Sequence, residues 1–396
     1  MNSPIWLRLE SHTSTRLSQL QLHPITTASG FIRAVRGRLT APGRIIRSEH
    51  HAASRTIRTR PGPVVLSSAP VMLSRALLAS LLAAAAALPA FAAADPVAVR
   101  STSVPLNPQD PRQHVVGRLE YRGGLHLVSD DPRFGGLSSL RVLPGGQRLA
   151  AVTDEGWWVS ARLVYRDRFL VGVEDVEMGP LLGPDGKAPE GKDSRDAESL
   201  ALLPAGEFVV GFEREHRLLR YPAGTGRPDG VPVACPSPPG LENAPFNGGI
   251  ETLVALREGA LLALTEYWIE KDQVVGWTGG PNAWKRLGLR LEQALRPSDG
   301  ALLPRGDVLV LERAYNPQRG IVNVRIRQIG REAIRPGSAL GGRLVAELAP
   351  PLTLDNYEGI SAVRDESGET LVYLVSDDNL NPAQQRTLLL MFALGK

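Results

Sequence analysis

The chain has 396 residues, of which 45 are lysine or arginine and 41 are acidic, and its formal net charge is +4. Its single cysteine excludes an internal disulfide, and it has no G-x-S-x-G, Walker or dinucleotide-binding motif, which argues against the common serine hydrolases and phosphate-loop enzymes. The three histidines after residue 94 lack metal-ligand spacing, which disfavours a zinc site with nitrogen and sulfur ligands.

Residues 1–71 differ in composition from the rest of the chain. They hold ten arginines and only two acids, and they show no lasting hydrophobic period. This composition fits a basic nucleic-acid-binding or transit arm, and it also fits a disordered or non-native upstream extension. We favour the extension because a secretory signal follows it directly.

Residues 72–94 have the three parts of a signal peptide. Arg75 supplies the positive charge, Ala76 to Leu88 form an apolar run, and the small residues around Ala92–Ala94 form a cleavage site. The run is shorter than the roughly 20 residues of a membrane-spanning helix, so no membrane span is predicted. Cleavage would leave a periplasmic or secreted protein. Removing the eleven arginines and two acids that precede Ala93 leaves 34 basic and 39 acidic residues, so the charge does not predict nucleic-acid binding.

Residues 95–396 predict one all-β domain. Short apolar strands alternate with Gly/Pro turns, and five hairpins recur at intervals of roughly 50 residues, the period of four-stranded propeller blades. The hairpins cover residues 134–158, 196–221, 248–268, 297–316 and 356–379. We expect a β-propeller of about six four-stranded blades. Its last blade would be closed by pairing of His114–Val128 with the C-terminal strands, which removes open sheet edges.

Acidic residues stand at the ends of these hairpins, away from the turns. Because a propeller gathers equivalent strands around one axis, the acids are predicted to meet at one mouth of the channel. The pairs are Glu198 with Glu213, Glu251 with Glu266, Asp299 with Glu312, and Glu358 with Asp377–Asp378, while Asp154 stands opposite Ser138.

A cluster of this kind has to be neutralised. Two carboxylates 4 Å apart repel by about 4 kcal/mol at an effective dielectric of 20. Protons, hard cations or the side chains of Arg214, Arg313 and Arg386 are the candidates, and Ca²⁺ suits a set of oxygen ligands with irregular geometry. In the alternative interpretation, each glutamate only caps its own blade by accepting backbone N–H groups.

Six motifs carry a resemblance to a known family: FGGLSSL, DAESLAL, FEREHRLLRY, GGIETLVAL, NYEGISAV and SDDNLNPAQQRTLLLMFAL. They resemble the phytase-like esterase family of exported bacterial proteins, which is similar to β-propeller phytases, and the resemblance runs from about Gly117 to Leu394. It implies hydrolysis of phosphoesters helped by Ca²⁺. The positions that match the family's acidic motifs are Asp154, Glu198, Glu213, Glu251, Glu266, Glu358, Asp377 and Asp378. Ser138 and the hairpin around Asp299 depart from the pattern.

The expected function is therefore hydrolysis of a small phosphorylated substrate by an exported monomer. Bound Ca²⁺ would polarise the phosphoryl oxygens and lower the pKa of an attacking water. The expected metal ligands are Asp154, Glu198, Glu213, Glu251, Glu266 and Glu358. The expected catalytic residues are Glu198, Asp377 and Asp378, and the expected substrate-binding residues are Arg214, Lys271 and Arg313. A non-catalytic ligand- or partner-binding propeller with a structural metal and a lactonase-type Ca²⁺-dependent hydrolase are the alternatives.

Overall fold

The computed structural model of the chain describes residues 94–292, 294–316 and 320–395. The extension predicted for residues 1–71 lies outside the described residues, and so does the signal peptide predicted for residues 72–94, except for Ala94. No helix in the described part of the chain is both long and apolar enough to cross a membrane.

Strands dominate the described residues. The first twelve are β1 (Asp95–Pro96), β2 (Val99–Ser103), β3 (Val115–Val116), β4 (Leu119–Ser129), β5 (Leu137–Val142), β6 (Arg148–Thr153), β7 (Trp157–Arg166), β8 (Phe169–Pro180), β9 (Ala197–Leu202), β10 (Phe208–Phe212), β11 (Arg217–Tyr221) and β12 (Val233–Cys235). The second twelve are β13 (Ile250–Ala255), β14 (Leu261–Glu270), β15 (Gln273–Gly279), β16 (Lys285–Arg290), β17 (Arg296–Leu302), β18 (Val308–Asn316), β19 (Gly320–Ile329), β20 (Ala339–Leu340), β21 (Arg343–Leu348), β22 (Tyr357–Arg364), β23 (Thr370–Ser376) and β24 (Thr387–Leu394). A short α-helix covers Lys192–Arg195, and single 3₁₀ turns cover Leu241–Asn243, Arg257–Gly259 and Arg331–Ala333.

The strands form five sheets, each of which is one blade of a propeller. In order from one sheet edge to the other, blade 1 is β1-β8-β7-β6-β5, blade 2 is β12-β11-β10-β9, blade 3 is β13-β14-β15-β16-β20, blade 4 is β17-β18-β19-β21, and blade 5 is β2-β4-β24-β23-β22. The inner strands β5, β9, β13, β17 and β22 contact one another in that cyclic order, so they enclose a common axis. The predicted all-β propeller is confirmed.

The expectation of about six blades is wrong, because the described residues form five. The N-terminal segment that was assigned to a sixth blade forms β4, which pairs with β24 from Leu119↔Leu394 to Leu127↔Thr387. The other edge of β24 pairs with β23, which belongs to the fifth hairpin. The two ends of the chain therefore share one sheet with that hairpin. The predicted closure by pairing of N- and C-terminal strands is confirmed, within blade 5.

Neighbouring blades bury both faces of the inner part of each sheet. On β10 every residue of the run Phe-Val-Val-Gly-Phe is buried. Val209 belongs to the apolar cluster that includes Leu253 of blade 3, whereas Val210 belongs to the cluster that includes Trp158 of blade 1. A continuous apolar run, rather than strict alternation, is the pattern of a strand covered on both faces.

An ion pair inside the channel joins four of the five inner strands. Arg141 on β5 donates from Nη1 to Asp299 Oδ2 on β17 at 2.9 Å and from Nη2 to Oδ1 at 3.0 Å. The same guanidinium donates to the carbonyl oxygens of Leu253 on β13 at 2.8 Å and of Ile360 on β22 at 3.0 Å. The side chain of Asp299 is fully buried in this network. Asp299 therefore links the inner strands through Arg141, and its side chain is not part of the acidic cluster at the mouth.

Candidate functional site

A β-bulge recurs at the same position of all five inner strands. In blade 3, for example, Ile250 pairs with Thr265 and Thr252 pairs with Leu264, which leaves Glu251 unpaired between them. A bulge turns a side chain out of the regular alternation of the strand. The bulged residues are Ser138, Glu198, Glu251, Ser298 and Glu358.

The adjacent strand of each blade supplies a second set of equivalent residues. In four blades, the residue of this second set donates its backbone N–H to the carbonyl oxygen of the residue that lies two positions before the bulged residue, at 2.8 to 3.0 Å. The residues at this position are Asp154, Glu213, Glu266 and Asp377. In blade 4 the residue opposite Arg296 is Arg313, so an arginine takes the place of an acid.

The structure thus corrects the expected pair of the fourth hairpin. Ser298 and Arg313 stand at the positions that were assigned to Asp299 and Glu312. Glu312 is fully buried and lies 2.5 Å from Arg327, which donates to both of its carboxylate oxygens. The expected pair is offset by one residue in each strand, which is enough to exchange the side chains that face the mouth.

All residues at these equivalent positions except Ser138 and Ser298 line a cavity of about 890 Å³. Among the described residues, nine acids and four bases line it, a formal excess of five negative charges if all were ionised. The acids are Asp154, Asp196, Glu198, Glu213, Glu251, Glu266, Asp355, Glu358 and Asp377, and the bases are Lys192, Arg214, Arg313 and Arg386. We call this cavity the acidic mouth.

The acidic mouth brings together most of the residues that were singled out from the sequence. All six expected metal ligands line it, and so do Asp377, Arg214 and Arg313. Asp378 is buried beside it and accepts hydrogen bonds from Gly136 N, Leu380 N and Thr387 Oγ1, so its carboxylate is engaged in the fold. Lys271 lies in the exposed turn between β14 and β15, and is not among the residues that line the mouth.

Three carboxylates form the tightest group in the mouth. One oxygen each of Asp196, Glu198 and Glu213 lies within 4.8 Å of the others. Burial raises the pKa of Glu198 well above its usual range, and the charges of Asp196 and Glu213 add to this effect. Burial also raises the pKa of Glu213 to about 7, although Glu213 Oε1 accepts a hydrogen bond from Gly249 N at 2.6 Å. Asp196 was not among the expected metal ligands.

Two further acids lie in the mouth without a cationic partner in the described part of the chain. Glu251 is only 4% exposed, and its Oε2 is a buried atom with no hydrogen-bond partner among the described residues. Asp377 accepts a hydrogen bond from Asn379 N at 2.7 Å. Burial raises the pKa of both carboxyls well above the usual range, and neighbouring carboxylates raise it further.

Lys192 lines the mouth and was not among the residues expected from the sequence. Its Nζ donates to Asp154 Oδ2 and to the Asp154 carbonyl oxygen, both at 2.6 Å, and lies 2.8 Å from Asp196 Oδ1. Burial opposes the ammonium charge, but the hydrogen bonds to Asp154 and Asp196 outweigh it and raise the pKa of Lys192. The only signal in the sequence was its place four residues before Asp196, in a Gly/Pro-rich loop.

Arg313 and Arg214 neutralise other acids of the mouth. Arg313 Nη1 lies 2.8 Å from Glu358 Oε1, and Nη2 donates to Glu266 Oε1 at 3.2 Å. Burial lowers the pKa of Arg313, but these two carboxylates outweigh it and raise the pKa. Arg214 Nε donates to Asp196 Oδ2 at 2.5 Å. Both side chains line the cavity.

A comparison with protein families agrees with this architecture. The model of the phytase-like family, which is described by the esterase-like activity of phytase, matches residues 132–380. The chain belongs to the phytase-like family. No curated protein matches this phytase-like chain.

Several solved structures share a weak similarity with the phytase-like protein. A gluconolactonase from Xanthomonas campestris is 12% identical, with 76% of this chain and 99% of that chain covered and a TM-score of 0.36. An endo-arabinase from Bacteroides thetaiotaomicron is 10% identical, with 65% and 94% covered and a TM-score of 0.39. A PQQ-bound aldose sugar dehydrogenase from Streptomyces coelicolor is 15% identical, with 75% and 99% covered and a TM-score of 0.34. Similarity at this level transfers no activity.

The raised pKa values predict how the stability of the metal-free phytase-like protein depends on pH. Glu213 and Glu358 have pKa values of about 7 in the folded chain, against an ordinary value of 4.5. Between pH 4.5 and pH 7 the folded state therefore binds more protons than the unfolded state. The stability that these protonated carboxyls contribute is fully present below pH 4.5 and is lost as the pH rises through 7. The loss is about 3 kcal/mol for one such group.

The measurement is thermal unfolding in the presence of a chelator at several pH values. We expect Tm to fall by several degrees between pH 5 and pH 8. Glu213→Gln removes one titrating group and should make the fall smaller. A Tm that stays constant or rises over this interval would contradict the expected protonation of the mouth.

Proposed function

We propose that this protein is an exported, Ca²⁺-dependent hydrolase of small phosphoesters, and that the acidic mouth is its active site. The observation that carries the proposal is the cluster of three carboxylates formed by Asp196, Glu198 and Glu213. This cluster shares one cavity with four cationic side chains. Carboxylates attract a hard cation, while lysine and arginine attract the phosphate of a substrate. The description of the family supports an esterase.

The residues of the mouth fit a calcium ion. Two buried carboxylate oxygens, Asp154 Oδ1 and Glu251 Oε2, have no hydrogen-bond partner among the described residues. No histidine or cysteine is found among the residues that line the cavity, so the donors on offer are oxygens. Ca²⁺ takes six to eight oxygen ligands and tolerates irregular geometry.

Several residues of the mouth then have a proposed role. Asp196, Glu198 and Glu213 would hold the ion, with Glu251 beside them. Bound there, Ca²⁺ would offset the carboxylate charge and polarise a phosphoryl oxygen. Arg214 and Arg313 would orient the phosphate and stabilise the charge that develops on it.

Asp377 is the residue that we assign to positioning the attacking water. It lines the cavity, and burial raises the pKa of its carboxyl, which makes the carboxylate a stronger base toward a water. Asp378 was the other candidate, but its three hydrogen bonds within the fold leave it a structural role. Lys271, in its exposed turn, has no proposed role in substrate binding.

The test is phosphate release from phytate and cleavage of bis(p-nitrophenyl) phosphate. We expect turnover of at least one substrate in Ca²⁺, a fall of at least about 100-fold after chelation, and recovery when Ca²⁺ is restored. Absence of metal-dependent turnover on both substrates would defeat the proposal. Hydrolysis of lactones without hydrolysis of phosphoesters would select the lactonase alternative.

A further inference from the structure

The ammonium group of Lys192 occupies a cage of oxygen atoms. Asp154 contributes Oδ2 and its backbone carbonyl at 2.6 Å each, Asp196 contributes Oδ1 at 2.8 Å, and Glu155 contributes Oε1 at 3.3 Å. Three carboxylates and a carbonyl that converge on one point are the ligand set that a protein offers to a hard divalent cation. In this protein the centre of these oxygen atoms is occupied by the ammonium group of Lys192, a cation that belongs to the chain itself.

A second internal cation lies in another part of the mouth, where Arg313 pairs with Glu266 and Glu358. Within the described residues, four acids that line the mouth have no ion pair: Glu198, Glu213, Glu251 and Asp377. Glu251 is more than nine-tenths buried and has an unpartnered Oε2. Glu198, Glu213 and Glu251 repel one another, so most of the unneutralised charge lies in their part of the mouth.

We propose that Lys192 is a built-in cation that fills one metal-binding position of the acidic mouth, so that the cavity takes a single divalent cation, beside Glu198 and Glu213. The inference rests on the Ca²⁺ binding in the proposed function and not on the hydrolysis. Asp196 links the two positions, since it contacts Lys192 through Oδ1 and also belongs to the group with Glu198 and Glu213.

Replacement of Lys192 tests the proposal through the number of ions bound. Lys192→Met removes the charge and keeps an unbranched side chain of similar length. Asp154 Oδ2, Glu155 Oε1 and Asp196 Oδ1 then lose their cation and are exposed to a metal ion, while the other oxygens of Glu155 and Asp196 keep their arginine partners. We expect calorimetry and elemental analysis of the full-length protein to give one Ca²⁺ per chain for the wild type and two for this variant. Lys192→Arg retains the charge and should bind one ion. Lys187→Met is the matched control in an exposed part of the same loop, and it should also bind one.

The proposal is overturned if Lys192→Met binds no more Ca²⁺ than the wild type, or if the wild type already binds two ions. Absence of bound Ca²⁺ from both proteins would overturn this inference together with the metal site of the proposed function. A gain of one ion without any phosphoester hydrolysis would sustain the inference while the proposed function fails.

A second measurement needs no variant, and it covers the case in which Lys192→Met does not fold. Acetylation of the wild-type protein, followed by mass spectrometry, compares the modification rate of Lys192 with that of the exposed Lys187. We expect Lys192 to react at least about 10-fold more slowly and Ca²⁺ to leave its rate unchanged, because the ion binds elsewhere. A Ca²⁺-dependent rise in Lys192 reactivity would mean that the ion displaces the ammonium, and it would contradict the proposal.

Discussion

Glu198→Gln is expected to lower kcat/KM for phosphoesters by at least about 100-fold and to weaken Ca²⁺ binding. Glu198 makes no hydrogen bond or ion pair within the described residues, and it lies with Asp196 and Glu213 in the tightest carboxylate group of the mouth. Glutamine keeps the shape of the side chain and removes its charge. A loss of activity would therefore reflect weaker Ca²⁺ binding and not a disturbed fold.

Thermal unfolding separates these two effects. In a chelator, Glu198→Gln should be at least as stable as the wild type, because it removes an ionisable group whose charge is repelled by Asp196 and Glu213. Glu215→Gln is the matched control, since Glu215 is an exposed glutamate two residues from Glu213. It should change neither hydrolysis nor Ca²⁺ affinity. If Glu198→Gln weakens Ca²⁺ binding and leaves hydrolysis unchanged, the site is structural and the protein is a binding propeller.

Asp299→Asn is expected to cause the largest loss of stability, about 3–5 kcal/mol. The substitution leaves the guanidinium of Arg141, whose side chain is 10% exposed, without its carboxylate inside the channel. This ion pair also connects the inner strands of four blades. Urea unfolding measures the loss, and Tm should fall by about 10 °C.

The double variant Arg141→Met/Asp299→Leu distinguishes an unpaired charge from a general packing defect. Replacing both partners by apolar groups should cost less than Asp299→Asn alone, since no buried charge is left unpaired. Asp130→Asn is the control, because Asp130 pairs with Arg100 on the exposed surface. It should leave the unfolding midpoint unchanged. A double variant that is less stable than the single one would show that shape, not charge, dominates inside the channel.

The number of blades could not be predicted from local sequence patterns. The repeat of turns and apolar runs is local, so the hairpins were found and the propeller was predicted correctly. Whether the segment around Leu119–Ser129 begins a new sheet or completes an existing one depends on its pairing with Thr387–Leu394. That contact joins residues more than 250 positions apart, and no local pattern records it.

The residues of the acidic mouth likewise fall into those that the sequence predicted and those that only the structure revealed. The sequence by itself determined that Glu198, Glu213, Glu251, Glu266 and Glu358 stand at the ends of repeated hairpins, because repeated strands carry their rim residues with them. Only the tertiary structure decided that Ser298 and Arg313, and not Asp299 and Glu312, stand at the equivalent positions of blade 4, since the pairing of β17 with β18 determines which residue of each strand faces the mouth. It also decided that Lys192 lies among the acids, because a loop between blades has no repeat that fixes where its side chains point.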